Sequence, residues 1–220
     1  MTDIIFADNT SQEMREEVLN LSTRWKPHKR NKLVQGVGIN DADYMIVAMT
    51  SAGRWTFPLY RKWHSMMTRA YSHKMHDKCP TYDHCIVDVQ WHSFMTFRKW
   101  AIENGWRYDL ELDKDLICNE KIYSADTCVF LPQSINKFMT DCRSARGQYP
   151  LGVNEYQGKY SSNCRDPMND KQEYLGRFNT PDEAHNAWRQ RKHQHALALA
   201  AMYPDLDPRV LNALRTRYKD

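Results

Sequence analysis

Apolar positions along the chain change period several times, and each change marks a different element. Residues 11–24, SQEMREEVLNLSTR, put Met14, Val18 and Leu21 on one helical face behind a Ser11 N-cap, which predicts a short first helix. Residues 26–42 are an irregular basic stretch. Their GVGIND segment lacks the GxGxxG pattern, so it reads as a turn ahead of a strand over Tyr44–Met49. Trp63, Met66, Met67, Ala70 and Tyr71 then fall at i, i+3, i+4, i+7 and i+8, the spacing of an amphipathic helix. Trp91, Phe94, Phe97 and Trp100 recur every third residue and read as the packing stripe of another. At Leu110 the period drops to two. LELDKDLI alternates like a strand, CNEK turns, Thr127–Leu131 forms a second strand, and Pro132 opens a helix through Ile135 and Phe138 to Met139. The order describes a ββα unit too small to bury a core by itself, so it requires the flanking Trp-rich helices.

Residues 141–150, DCRSARGQYP, hold few apolar side chains and are expected to be a linker. Three strands are expected beyond it, at Val153–Tyr156, Lys159–Cys164 and Glu173–Phe178, with turns at Gly158 and Asp166–Asp170. Thr180-Pro181-Asp182-Glu183 is a helix start, with Thr180 as N-cap, Pro181 at N1 and Glu183 completing a capping box. That helix runs through Ala184, Trp188 and Leu197 to Tyr203-Pro204, and Asp207-Pro208 opens a last short one. The fold class is α+β. Its expected parts are 1–43 (helix and basic segment), 44–140 (ββα unit with Trp-rich helices), the 141–150 linker, and 151–220 (three-stranded antiparallel sheet with a helix).

Composition narrows the function. A 41% hydrophobic fraction is enough for a packed core. No window approaches the ~18 apolar residues of a membrane helix, and the first residues carry no secretory pattern, so no membrane partner and a cytoplasmic location are expected. Cys79/Cys85 and Cys118/Cys128 both lack CxxC spacing, so no zinc is expected. The overall charge of +4 is mild, but residues 54–78 set six Lys/Arg against Asp77 for a local +5, with Trp and Tyr interleaved. Arg61, Lys62, Arg69 and Lys74 in this segment are candidate phosphate contacts.

The C-terminal motifs, Gly158-Lys159-Tyr160, Tyr174-Leu175-Gly176-x-Phe178 and Thr180-x-x-Glu183-Ala184, resemble the DNA-binding domain of plant ethylene-response factors. The resemblance implies a three-stranded sheet lying in the DNA major groove, backed by the helix. Tyr160, Leu175 and Phe178 then include core contacts, and Lys159, Arg165, Lys171 and Arg177 face DNA. The middle of the chain, with Trp63-x-x-Met66-Met67-x-Arg69-x-Tyr71-Ser72, Pro80-Thr81-Tyr82, and Leu112-Asp113-Lys114-Asp115 followed by Asn119, Tyr123-Ser124, Thr127-Cys128 and Asn136, resembles phage-encoded HNH-type homing endonucleases.

That second resemblance implies metal-assisted hydrolysis of DNA, with magnesium or manganese held by Asp113, Asn136 and Asp115. The catalytic set it marks is Asp113, Lys114 and Asn136. Lys114 stands where the family carries its general-base His, Thr127 near the position of its middle Asn, and His64, His73, His76, His84 and His92 lie upstream. Three functions remain open: a metal-dependent DNA endonuclease, a catalytically silent DNA-binding regulator on the same scaffold, and a protein-binding module with the basic-aromatic segment as its partner surface. Double-stranded DNA is the expected partner of the first two, and the sequence leaves the oligomeric state open.

Overall fold

The computed structural model describes residues 4–26, 32–117, 120–140 and 148–219. The architecture is α+β, and the chain divides into two compact units, Met1–Phe130 and Leu131–Asp220.

The first unit opens with α1 (Gln12–Arg24), capped as expected by the Ser11 hydroxyl accepting from the Met14 N–H at 3.2 Å. Val18 is fully buried, whereas Leu21 is exposed, so only part of the anticipated apolar face packs. A hairpin of β1 (Val47–Thr50) and β2 (Gly53–Thr56) follows; β1 starts later than the apolar run, because the first cross-strand pair is Val47 with Thr56. Pro58 at the first turn starts α2 (Pro58–Tyr71), which buries Leu59, Tyr60, Trp63, Met66, Met67 and Ala70. Next come α3 (His73–Lys78), the short β3 (Ile86–Val87) and α4 (Phe94–Glu103). The Trp-rich stripe is core: Trp91, Phe94 and Phe97 are buried, and the Trp63 indole donates to the Trp91 carbonyl at 2.7 Å. Edge-to-face contacts at 5.1 Å join Tyr60 to Phe94 and Trp91 to Phe97, an arrangement aromatic quadrupoles favour.

β4 (Leu110–Asp113) buries Leu110 and Leu112 in strict alternation. The apolar pattern continues past Asp113, but the strand does not. One Asp113 carboxylate oxygen accepts the N–H groups of Asp115 at 2.9 Å and Leu116 at 2.8 Å, which turns the chain. β5 (Ile122–Tyr123) pairs in parallel with β3, and β6 (Val129–Pro132) pairs with β4. With α5 (Gln133–Met139), β4 and β6 make up the expected ββα order.

The division between the units falls inside β6, so α5 groups with the C-terminal unit. There Phe138 packs edge-on against Tyr218 at 5.9 Å and carries the Lys192 ammonium 3.6 Å from its ring centroid. Residues 141–147 of the expected linker, like Cys118 and Asn119, lie outside the described residues. The rest of the unit is an antiparallel sheet, β7 (Val153–Tyr156), β8 (Lys159–Arg165) and β9 (Gln172–Phe178), followed by α6 (Pro181–Met202) and α7 (Pro208–Thr216). Gln157 and Gly158 both have positive φ, which suits the tight β7–β8 turn. The Thr180–Glu183 capping box is formed on both sides. At Gly152, with φ +78°, a side chain is excluded twice over: by the backbone, and by the Trp188 ring against it.

Candidate functional site

Three places collect the residues singled out in the sequence, and each is built by a different element. The first is the turn after β4. Lys114 is buried, with its side chain only 6% exposed, and its ammonium is ion-paired with Asp115. It also lies 5.6 Å from the Tyr123 ring centroid. Burial pulls a lysine toward its neutral form, but here the Asp115 hydrogen bond and the surrounding negative charge outweigh it and leave the Lys114 pKa above the ordinary lysine value. An ammonium held in its charged form by an ion pair has no free lone pair with which to act as a general base. Asp113 shifts the other way from a surface carboxylate: burial raises its pKa, against the lowering effect of the Leu116 backbone N–H.

Thr127, near which the sequence places the middle Asn position, braces its own loop. Its buried hydroxyl donates to the Ile122 carbonyl at 2.7 Å and accepts from the Ser124 N–H at 3.0 Å. Burial pushes the neighbouring Cys128 thiol up to about 12, so it is a packed, protonated side chain. Asn136 lies on α5 in the other unit, half-buried, and its carbonyl accepts both the N–H and the hydroxyl of Thr140.

A hard divalent cation requires several converging oxygen ligands. Here one Asp113 oxygen is engaged by backbone N–H groups and Asp115 is neutralised by Lys114. Among the described residues no group of three His, Cys, Asp or Glu side chains is gathered that could hold a metal. Three of the five upstream histidines have close polar partners. His92 meets the Tyr71 hydroxyl at 3.1 Å, His76 meets the Arg69 carbonyl at 2.9 Å, and His84, at positive φ, meets the Asp83 carboxylate at 3.1 Å.

The second place is the solvent side of α2 and the start of α3. Arg61 and Lys74 are exposed. Lys62 is tied to Glu111 of β4 at 2.6 Å. Arg69 is half-buried and hydrogen-bonded to Tyr123, and its guanidinium lies 5.8 Å from the Tyr82 ring centroid. Burial would lower the Arg69 pKa, but the two tyrosines and Glu111 raise it.

The third place is the C-terminal sheet. One side packs on α6: Val153, Ser162 and Cys164 are buried, and Glu173 accepts a two-pronged bond from Arg191, both arms 2.7 Å, together with the His195 ring at 2.9 Å. The opposite side is open. It presents Asn154, Tyr156, Lys159 and Arg177, all exposed, with Ser161 and Asn163 between them. Arg177 stacks on Tyr156 at 5.1 Å. Tyr174 is 63% exposed on β9. Of the four basic residues expected here, Lys159, Lys171 and Arg177 are exposed and carry no ion pair among the described residues, whereas Arg165 is forked onto Asp170 at 2.6 and 2.7 Å.

Sequence reasoning passed over Glu111, Ser65 and the two exposed tyrosines. Exposure of Tyr174 depends on a register shift at Ser162/Asn163, which reverses the inward–outward alternation along β9. No family model, no curated protein and no solved structure matches this chain.

Proposed function

We propose that this chain binds double-stranded DNA through the open face of its C-terminal sheet, and that its ββα unit acts as a scaffold rather than a hydrolytic centre. The observation that carries the reading is the composition of that face. Opposite a side sealed by α6 stand two exposed tyrosines, two cations and three short amide or hydroxyl side chains, Asn154, Ser161 and Asn163. Three strands spaced about 4.8 Å apart span ~10 Å, which matches a major groove about 12 Å wide. Cations at the strand ends suit phosphates, and short amides and hydroxyls suit base edges. The state of Lys114, buried, paired and protonated, supports the scaffold role of the ββα unit.

The second reading is a metal-dependent homing endonuclease. What favours it is Asp113, a carboxylate in the family's metal-side position whose other oxygen takes no hydrogen bond among the described residues. Incubating the full chain with long duplex DNA, with and without magnesium or manganese, separates the two readings on one gel. The proposal expects retarded but intact DNA under every condition. Metal-dependent cleavage that is lost in Asp113→Asn overturns the scaffold role and supports the nuclease.

A further inference from the structure

Beside α2 lies a cleft of about 260 Å³ whose lining includes Arg61, Lys62, Ser65 and Arg69 from the helix and Glu111 and Leu112 from β4. We infer that this cleft is a phosphate-binding site, separate from the sheet face. It does not depend on the DNA-binding reading of that sheet.

The first argument is alignment. Arg61, Ser65 and Arg69 are spaced i, i+4, i+8, so successive turns of one helix set a hydroxyl between two guanidiniums on one face. Guanidinium forks match the geometry of phosphate oxygens, and a hydroxyl between them supplies a neutral donor. The second argument is availability. Arg61 is exposed and, among the described residues, makes only a long contact, 3.4 Å, to the Thr56 carbonyl. The Ser65 hydroxyl takes no hydrogen bond among the described residues, although its side chain is half-buried.

The third argument is charge. Among the lining residues themselves, the cations Arg61, Lys62 and Arg69 outnumber the one carboxylate, Glu111, by two. Lys62 neutralises that carboxylate at 2.6 Å, which removes most of its repulsion toward an anion. Tyr108, also in the lining, donates to the Asp8 carboxylate, whose charge is thereby partly engaged. The last argument is size. Pockets for drug-sized ligands run from about 300 to 1,000 Å³, so a cleft of 260 Å³ suits a phosphate group better than a whole nucleotide with its base.

Two sources can supply that chemistry, a free phosphate or phosphomonoester and a phosphate of the DNA backbone. The test uses the full isotope-labelled chain and inorganic phosphate titrated at constant ionic strength, read by NMR at the Ser65 amide and the arginine side-chain N–H groups. A saturable shift confined to these groups is expected. Arg61→Gln with Ser65→Ala weakens binding at least tenfold. Lys99→Gln, an equal charge change elsewhere on the surface, has no effect. Glu111→Gln frees Lys62 and tightens binding, an outcome that loss of packing does not produce. Shifts that never saturate, or a double variant that binds phosphate like the unmodified chain, overturn the inference. A second titration with short duplex DNA identifies the source. If the duplex shifts the same groups and competes with phosphate, the ligand is the DNA backbone; if it shifts only the sheet, the ligand is a free phosphate. A chain that takes phosphate but no duplex leaves the cleft standing and removes the DNA reading alone.

Discussion

Gly152 sits where the C-terminal sheet meets α6, and replacing it with alanine tests that packing directly. At φ +78° an added Cβ would lie 2.1 Å from Trp188 Cδ1 and 2.3 Å from its Cγ. Ordinary carbon contacts lie near 3.5–4.0 Å, so more than an ångström must be recovered by movement. Trp188 has little room to yield it. It is only 9% exposed, stacks on His185 at 5.3 Å and meets Tyr218 edge-on at 6.0 Å. The left-handed backbone costs a Cβ-bearing residue about 1–2 kcal/mol, and forced overpacking of a core adds about 1–3 kcal/mol. Gly152→Ala should therefore cost about 2–5 kcal/mol, a large share of the ~5–15 kcal/mol that holds a domain folded. Gly158 is the control: its φ is +69°, and a Cβ there meets nothing within 4 Å. Gly158→Ala should lose only the backbone part. Urea titrations followed by circular dichroism give both values. If the two variants cost the same, the sheet does not close on Trp188 as described.

Three further outcomes follow from the local chemistry. The Arg191 hydrogen bond, partly opposed by burial and reinforced by His195, depresses the Glu173 carboxyl from the usual 4.5 to about 2. Because the folded pKa is the lower one, this stabilisation is complete above about pH 4.5 and is lost as the pH falls toward 2; Glu173→Gln should flatten the dependence of urea midpoint on pH across that window, and an unchanged slope would show the pairing is not formed in solution. Thiol alkylation with peptide mapping should mark exposed Cys79 quickly and spare Cys85, Cys128 and Cys164 until the chain unfolds; labelling of Cys128 at the Cys79 rate would contradict its burial and its raised pKa. Lys114→Ala should leave duplex affinity in a gel-shift assay at the level of the unmodified chain, since the buried ammonium faces Asp115 and Tyr123, and a large loss would place the ββα unit in the DNA interface.

The C-terminal unit was legible because its signals are local. Thr180, Pro181 and Glu183 specify a helix start within four residues, and the three strands are separated by turns that their own residues enforce. The Trp63 and Trp91 stripes were legible because apolar spacing along a helix translates directly into burial. What escaped was whatever depends on a partner distant in sequence or on a break in regularity. Lys62 reads as a free cation until Glu111, from β4, is folded against it. The end of β4 is set by the Asp113 carboxylate turning back onto Asp115 and Leu116, against an apolar alternation that runs on. Simple alternation back from Phe178 turns Tyr174 inward, and only the bulge opposite Ser162/Asn163 brings it to the surface. The spacing of Arg61, Ser65 and Arg69 was visible in the sequence, but a count of charges does not show that they line one cleft.

The central claim concerns the open face of the sheet, and the affinity of the full chain for a long duplex, measured as a function of salt, tests it most directly. Contacts to several phosphates require log K to fall linearly with log salt, with a loss of at least about tenfold between roughly 50 and 200 mM. Lys159→Gln with Arg177→Gln removes two of the cations on that face, and should weaken binding and reduce the slope by about two. Affinity that ignores salt, or a double variant with the unmodified affinity and slope, contradicts the account.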